Sequence, residues 1–192
     1  TNARVTANLP RDVADPQEKT EVIAGDLRAQ QPRIGRYRLE RRLGAGGMAE
    51  VFLARSESDA GPHGKFEKLV VIKRIRPQLV QQPRFVEMFL REGRLLASLD
   101  HPNIVRIIEL DEDNGEYFLA LEYLEGLSLR EVAERHWAIG KPLPIEAVLT
   151  IVAEAALGLD YAHGWRDPAG SAANIIHRDV SPDNLFVTTS GT

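Results

Sequence analysis

The sequence contains no cysteine, no run of 18 apolar residues and no excess of basic over acidic side chains. Without thiols, a disulfide framework and a thiolate metal site are excluded, and a reducing compartment is compatible with the composition. The lack of a long apolar run predicts that nothing in this part of the protein spans a membrane. Because the formal net charge is −4, we expect no nucleic-acid partner.

The chain also begins without an initiator methionine or the apolar core of a signal peptide, at Thr1-Asn2-Ala3-Arg4. We therefore interpret it as a piece of a longer protein and expect a cytoplasmic location, with a membrane anchor beyond Thr192 left open. Its 192 residues fit one ordinary domain or two small lobes, and 43 % apolar residues suffice for a core.

The first part of the chain, residues 1–34, is polar and irregular, with prolines 10, 16 and 32. This composition predicts a flexible leader in which residues 15–30 could form a short helix. Beyond it, five stretches have the alternating or continuous apolar pattern of strands. They are predicted at 37–43, 51–54, 69–73, 104–110 and 117–121, with a sixth, short strand at 175–176.

The connections between these strands are also readable. Glycines 44, 46 and 47 separate the first two, which predicts a hairpin with a glycine-rich turn. Residues 56–68 are polar and predict an exposed loop without an assigned function. An Asp-Asn-Gly turn at 113–115 joins the fourth and fifth strands.

Three helices are predicted. The first covers 83–99, and its apolar residues fall on or near one face: Phe85, Met88, Phe89, Leu95, Leu96 and Leu99. A capping box from Ser128 to Glu131 opens the second. The third runs over 145–163, and its apolar character on most faces predicts protein cover on more than one side. Its expected buried residues are Val148, Ile151, Val152, Ala155, Leu159 and Ala162.

The glycine-rich stretch reads Gly44-Ala45-Gly46-Gly47-Met48-Ala49-Glu50-Val51. Glycines let a backbone approach triphosphate oxygens without a side-chain clash. A dinucleotide-binding loop would need a helix directly afterwards, whereas a strand is predicted here. A glycine-rich hairpin turn without any ligand is the remaining alternative.

A strand lysine and a helix carboxylate form a second candidate pair. Lys73 ends the apolar stretch Val70-Val71-Ile72, and a lone lysine in that place usually points to solvent. Glu92 lies 19 residues later, among the apolar residues of the first helix. This spacing is enough to finish the strand, cross a loop and climb two helical turns. We therefore predict an ion pair between Lys73 and Glu92.

The segment His177-Arg178-Asp179-Val180-Ser181-Pro182-Asp183-Asn184 has the form H-R-D-x-x-x-x-N. Its Asp can accept the proton of an attacking hydroxyl, and an amide oxygen five residues on can hold magnesium beside phosphates. Eight residues could match by chance. Their weight comes from the upstream elements, which occur in the expected order and at workable spacing.

Taken together, these motifs resemble a bacterial, eukaryotic-like serine/threonine protein kinase over roughly residues 35–192. The phrases at 46–54 (Gly-Gly-Met-Ala-Glu-Val-Phe-Leu-Ala), 99–105 (Leu-Asp-His-Pro-Asn-Ile-Val) and 177–184 carry the resemblance. It implies an α+β, protein-kinase-like fold. In it, 35–124 form the N-lobe, an antiparallel sheet plus one helix, and the hinge. Residues 125–192 begin a mainly helical C-lobe that is truncated before any D-F-G.

The resemblance further implies that ATP and Mg²⁺ are used. Asp179 would be the catalytic base, Lys73 would contact the α- and β-phosphates with Glu92 as its partner, and Asn184 would be a magnesium ligand. His177 would brace the loop and Arg178 would hold a phosphorylated activation loop. The adenine is expected between the lobes. The implied ATP-binding residues are Leu43, Gly44, Ala45, Gly46, Gly47, Val51, Val71, Lys73, Leu121, Glu122, Leu124, Ser128 and Phe186.

Three features depart from the family pattern, and one of them is the loop at 56–68, which is longer than usual. Val71 replaces the usual Ala of the adenine roof and narrows the pocket slightly. Ser181 stands where serine/threonine kinases usually carry a Lys that neutralises the transferred phosphate, which a short hydroxyl cannot do. Ser128 is explained equally well by its capping role.

The leading functional hypothesis is phosphoryl transfer from ATP to protein Ser or Thr. The alternatives are a pseudokinase that binds nucleotide or serves as a scaffold, and a small-molecule phosphotransferase. The sequence identifies no protein substrate and no oligomeric state. Because no D-F-G follows Asn184, residues 1–192 alone are expected to be inactive and to expose Leu157, Leu159 and their neighbours to water.

Overall fold

The computed structural model describes residues 3–5, 32–57 and 67–189, and these divide into two compact units. The first, which we call the sheet unit, consists of Pro10–Arg94 and Ile107–Tyr123. The second, the helical unit, consists of Thr1–Leu9, Leu95–Arg106 and Leu124–Thr192. No helix among the described residues is both long and apolar enough to cross a membrane.

The sheet unit is built on six antiparallel strands in the order β2-β3-β4-β5-β7-β6. In chain order these are β2 (Arg33–Ile34), β3 (Tyr37–Ala45), β4 (Ala49–Glu57), β5 (Glu67–Ile75), β6 (Ile107–Asp113) and β7 (Glu116–Glu122). The predicted turn between β6 and β7 is present, since Asn114 and Gly115 both have positive φ, of 50° and 82°. That conformation suits the right-handed twist of a two-residue hairpin.

Both faces of this sheet are covered near its centre, so successive residues of β5 from Val70 to Lys73 are all buried. One face carries the main hydrophobic core, in which the rings of Tyr37 and Phe118 pack edge to face with centroids 5.8 Å apart. The buried residues of that core are Ile34, Tyr37, Leu39, Ala54, Val70, Ile72, Phe118 and Ala120.

The opposite face contacts a helix. A short helix α1 (Pro77–Val80) precedes α2 (Pro83–Ala97). α2 approaches the sheet at Gly93, where an added Cβ would lie 2.9 Å from Leu119 Cδ2. The buried side of α2 therefore centres on Phe89 and Gly93. The prediction that Met88 belongs to this face is wrong, because its side chain is 43 % exposed.

The helical unit contains a three-stranded antiparallel sheet and two helices. The strands are β1 (Ala3–Val5), β8 (Gly126–Ser128) and β9 (Leu185–Thr188), in the order β1-β9-β8. The helices are α3 (Leu129–Ala138), which begins at the predicted capping box, and α4 (Ile145–Gly164). The sequence pattern predicted none of these three strands, and the helix expected at 15–30 lies outside the described residues.

Burial on α4 differs from the prediction. Its buried residues are Ile151, Ala155, Gly158 and Ala162. Val152, predicted to be inside, is 53 % exposed, and Leu157 is 57 % exposed. In the part of the chain that the structure describes, α4 is thus covered on one side. The water-facing position expected for Leu157 is confirmed.

Three other predicted patterns are corrected. Arg38 lies on the alternating stretch but is only 4 % exposed, since Glu57 and Glu67 lie 3.7 and 3.5 Å from its guanidinium. β6 begins at Ile107 rather than at 104. Residues 175–176 form no strand, and Ile176 is 64 % exposed.

Candidate active site

The glycine-rich turn joins β3 to β4 and is followed by a strand, as predicted. Gly46 N–H donates to the carbonyl oxygen of Ala49 at 2.8 Å, which closes the turn. Neither Gly46 nor Gly47 has a positive φ, and a Cβ built on Gly47 meets nothing within 4 Å. Protein packing therefore does not require glycine at 47. A ligand that approaches the backbone would require glycine at this position, because the ligand needs the space that a side chain would fill.

The predicted ion pair is present in the sheet unit. Lys73 Nζ lies 3.2 Å from Glu92 Oε1, and the Lys73 side chain is 11 % exposed whereas that of Glu92 is 43 % exposed. A buried ammonium is costly unless a counter-charge accompanies it. The sheet buries Lys73, and α2 places the partly exposed carboxylate of Glu92 beside it as the counter-charge.

The residues predicted to line the adenine pocket from the sheet unit fall around this lysine. Val51 pairs with Lys73 across β4 and β5, and Val71 pairs with Leu121 across β5 and β7. Paired residues and residues two apart share a sheet face, so these side chains lie on the Lys73 face. Val51, Val71 and Leu121 are all buried.

The other residues expected at the sheet-unit part of the pocket are less enclosed. Leu43 and Ala45 are half-buried near the irregularity that separates Arg42 from Gly44 in the β3–β4 pairing. Glu122 is half-buried and ends β7. Gly44 is paired with Val51 at the entrance to the turn.

The predicted catalytic base and its neighbour meet in the helical unit. Asn184 is 2 % exposed, and its amide nitrogen donates to the Asp179 main-chain oxygen at 2.9 Å and to Asp179 Oδ2 at 3.0 Å. Asp179 N–H lies 3.3 Å from His177 Nδ1, which it donates to. The His177 ring thus accepts a hydrogen bond from the backbone of the loop, and Asn184 orients the Asp179 carboxylate. The bracing role implied for His177 stays a prediction.

Arg178, which lies between His177 and Asp179 in the chain, has a φ of 64°. A non-glycine residue in the left-handed region stores about 1–3 kcal/mol of strain, and such strain is concentrated at functional sites. The backbone of the loop is therefore held in an unfavourable conformation by its surroundings.

The remaining predicted site residues of the helical unit lie on β8 and β9 or just before them. Ser128 pairs with Phe186 in the register of β8 and β9. Ser128 Oγ accepts from the Glu131 N–H at 3.2 Å, while Ser128 N–H donates to Glu131 Oε2 at 2.8 Å. Its capping role is thus confirmed. Leu124 and Phe186 are half-buried.

One contact was missed by the sequence reasoning. Arg130, in the first turn of α3, donates through Nε and Nη2 to the two carboxylate oxygens of Asp183, at 2.5 and 2.9 Å. The hydrogen bond to Asp183, with its charge, raises the pKa of Arg130. No pattern in one sequence signals a pair separated by 53 residues.

Ser181, the departure at the family's Lys position, has its hydroxyl oxygen buried without a hydrogen-bond partner among the described residues. Its main-chain oxygen accepts from Asn184 N–H at 3.0 Å. The side chain therefore presents no charge and no exposed donor.

A magnesium site can be tested against the donors present. The described residues contain no group of three or more His, Cys, Asp or Glu that could hold a metal. Mg²⁺ usually keeps several waters and takes one or two protein ligands together with substrate phosphates. The Asn184 amide oxygen, beside the Asp179 carboxylate, fits that limited requirement.

Known proteins match this architecture in sequence and in structure. The family described as the protein kinase domain matches residues 37–192. The tyrosine-protein kinase MasK of Myxococcus xanthus is 43 % identical over 184 residues, which cover 93 % of this chain and 27 % of MasK. The serine/threonine-protein kinase PrkC of Bacillus subtilis is 32 % identical over 157 residues, covering 82 % of this chain and 21 % of PrkC.

Among solved structures, the PknI kinase domain of Mycobacterium tuberculosis is similar, with a TM-score of 0.60 and 29 % identity. The match covers 84 % of this chain and 58 % of that domain. The chain thus spans less than a third of MasK and of PrkC, and its fold is the α+β fold of protein kinases. These findings confirm the resemblance read from the motifs: the chain belongs to the protein kinase domain family.

Proposed function

We propose that the protein transfers the γ-phosphoryl group of ATP to a Ser or Thr hydroxyl of another protein, and that this chain supplies its nucleotide-binding and catalytic-loop residues. The observation that carries the proposal is the Lys73–Glu92 ion pair on the face of the sheet that also bears Val51 and Val71. A scaffold without nucleotide would gain little from burying a lysine there, because buried ion pairs rarely add net stability.

The sheet unit would bind the nucleotide. Backbone N–H groups of the glycine-rich turn would approach the phosphates, and Lys73 would donate to the α- and β-phosphate oxygens while Glu92 fixes its position. The buried apolar residues Val51, Val71 and Leu121 would contact the adenine ring. These roles use the charge and the open space found at each position.

The helical unit would carry out the proton transfer. The acceptor hydroxyl oxygen forms the new bond to the γ-phosphorus, the bond from that phosphorus to the β–γ bridging oxygen breaks, and ADP leaves. Asp179 Oδ accepts the hydroxyl proton. Asn184 keeps that carboxylate oriented and would offer its amide oxygen to Mg²⁺, which neutralises charge on the phosphates when bound.

The test compares three variants of the full-length protein. Lys73→Met should weaken ATP binding by about 10-fold or more, since a charge-assisted contact is typically the strongest kind of hydrogen bond. Lys68→Met, on the exposed part of the same strand, should leave it unchanged. Asp179→Asn should bind ATP normally but lose phosphate transfer, measured with radiolabelled ATP and a generic protein substrate.

Two outcomes would contradict the proposal in different ways. Unchanged ATP affinity in Lys73→Met would mean that the phosphate site is misplaced. ATP binding without any transfer by the unmodified full-length protein would instead identify a pseudokinase.

A second candidate is transfer to tyrosine. Two observations favour it: the 43 % identical relative carries the name of a tyrosine-protein kinase, and Ser181 lacks the ammonium that serine/threonine kinases usually place there. The rates of phosphate transfer to peptides that differ only in Ser, Thr or Tyr at the acceptor position would decide between the two candidate functions.

A further inference from the structure

We propose that Arg130 is a positioning residue for the catalytic loop, and that it acts through Asp183. The inference rests on the proposed function, because it concerns the loop that carries Asp179 and Asn184. It assigns a role to a residue of α3 that lies 53 positions from its partner.

Three hydrogen bonds join the first turn of α3 to the residues just before Asn184. Two are the parallel bonds from the Arg130 guanidinium to the Asp183 carboxylate, at 2.5 and 2.9 Å. The third runs from Arg130 N–H to the Pro182 carbonyl oxygen, at 3.2 Å. A bidentate pair fixes direction as well as distance, because both donors of the planar fork must be satisfied together.

The helix end that carries Arg130 is itself well fixed. The reciprocal bonds of Ser128 and Glu131 cap it, and β8 leads directly into it while pairing with β9. Leu129 packs against Ala155 and Leu185 in a small core. The loop is therefore held from an ordered support on the Arg130 side and by β9 on its other side.

A displacement of Asp183 would also move Asn184, whose hydrogen bonds hold the catalytic base Asp179. Asn184 follows Asp183 directly, its N–H donates to the Ser181 carbonyl oxygen, and its amide nitrogen donates to Asp179. The loop also contains the strained Arg178, which favours relaxation once a restraint is removed. Arg130 therefore stabilises the position of Asp179 without contacting the reactants.

The expected effect is on catalysis more than on stability. The Arg130 side chain is 50 % exposed whereas that of Asp183 is 13 % exposed, and pairs open to solvent contribute little to folding. Misplacement of a reacting group by about 1 Å can lower a rate by roughly 100-fold. A structural role would instead lower stability and activity together.

The experiment uses the full-length protein with Arg130→Met, Arg130→Lys and, as matched control, Arg135→Met, which removes an exposed arginine of the same helix. Arg130→Met should lower kcat by roughly 10–100-fold with the KM for ATP and the Tm near those of the control. Arg130→Lys, which keeps charge but loses the fork, should recover part of kcat.

A readout that does not need activity separates this proposal from the proposed function. Hydrogen exchange of the Asn184 amide should be faster in Arg130→Met than in Arg135→Met, because its acceptor in the loop is less well held. Unchanged exchange overturns the proposal whether or not the protein is active. An unchanged kcat in an active protein, or a kcat that falls only in step with the Tm, overturns it as well. A lack of transfer in the unmodified protein, with exchange altered as expected, contradicts the proposed function alone.

Discussion

Asn184 donates hydrogen bonds from one amide nitrogen to both the main-chain oxygen and the carboxylate of Asp179, at 2.9 and 3.0 Å. Both acceptors are therefore satisfied by a side chain that is 2 % exposed. A single donor thus sets the orientation of the candidate base and closes the loop around it.

Replacement of that donor by an acceptor should be costly. Asn184→Asp brings a second carboxylate against Asp179, so we expect the free energy of unfolding to fall by about 1–3 kcal/mol at pH 8. The difference should shrink near pH 4, where a protonated carboxyl can donate again. Urea unfolding at both pH values measures this, with Asn174→Asp in an exposed loop as control. Equal losses at the two pH values would contradict it.

Tyr37 should make stability depend on alkaline pH. Its burial, followed by the hydrogen bond it donates to Glu109, raises the pKa of its hydroxyl above 10. The folded state therefore keeps a proton that the unfolded state loses, and this contribution is complete below about pH 10 and declines as pH rises toward the folded pKa. Tyr37→Phe should reduce the free energy of unfolding by about 1 kcal/mol at pH 7.

The sign can be checked by the difference between the two proteins. The stability advantage of the unmodified chain over Tyr37→Phe should narrow above pH 10, and Tyr123→Phe, at an exposed position, is the control for loss of a phenol hydroxyl. Parallel curves for the unmodified chain and Tyr37→Phe would show that the Tyr37 hydroxyl titrates alike in both states.

The Lys73–Glu92 ion pair should depend on the lack of a side chain at Gly93, which directly follows Glu92. A side chain there meets Leu119 Cδ2 at 2.9 Å and Leu110 at 3.3 Å, so Gly93→Val pushes α2 away from the sheet and Glu92 away from Lys73. We expect the free energy of unfolding to fall by about 1–3 kcal/mol and ATP affinity to fall as well. Calorimetric titration with ATP should separate it from Arg91→Val, an exposed change on the same helix. Equal affinity in the two variants would contradict the link.

Ser181 should tolerate a lysine. The catalytic effect in phosphoryl transfer is mainly positioning and electrostatic stabilisation, so Ser181→Lys in the full-length protein should preserve or raise kcat on Ser and Thr peptides. The buried hydroxyl has no hydrogen-bond partner to lose among the described residues. Loss of activity in Ser181→Lys would show that the site differs from the family in more than a missing lysine. A gain confined to Tyr peptides would contradict the role of that lysine in neutralising the phosphate transferred to Ser or Thr.

The correct predictions depended on local signals. The capping box, the Asn-Gly turn, the glycine hairpin and the Lys73–Glu92 spacing each follow from residues close in sequence or from one strand and the next helix. The family motifs supplied a role for Asp179 that composition could not give, and that role stays a prediction.

The errors arose where distant segments decide the outcome. Arg38 is buried because carboxylates from two other strands accompany it, and Val152 is exposed although its neighbours Ile151 and Ala155 are buried. The Arg130–Asp183 pair joins residues 53 apart. A single sequence shows periodicity along an element but not which distant segment will cover it, so these contacts could not be predicted.

The contact between Asn103 and Glu154 has a consequence for recombination between related genes. Asn103 Nδ2 donates to Glu154 Oε2 at 2.6 Å, and a Cβ on Gly158 would lie 3.1 Å from the Asn103 carbonyl oxygen. The helical unit takes this asparagine from Leu95–Arg106, a stretch that precedes the last two strands of the sheet unit. A gene recombined by a single crossover near Tyr123 would therefore encode Asn103 from one parent and Glu154 and Gly158 from the other. Exchange of the later part alone keeps this contact only between genes that match at these three positions.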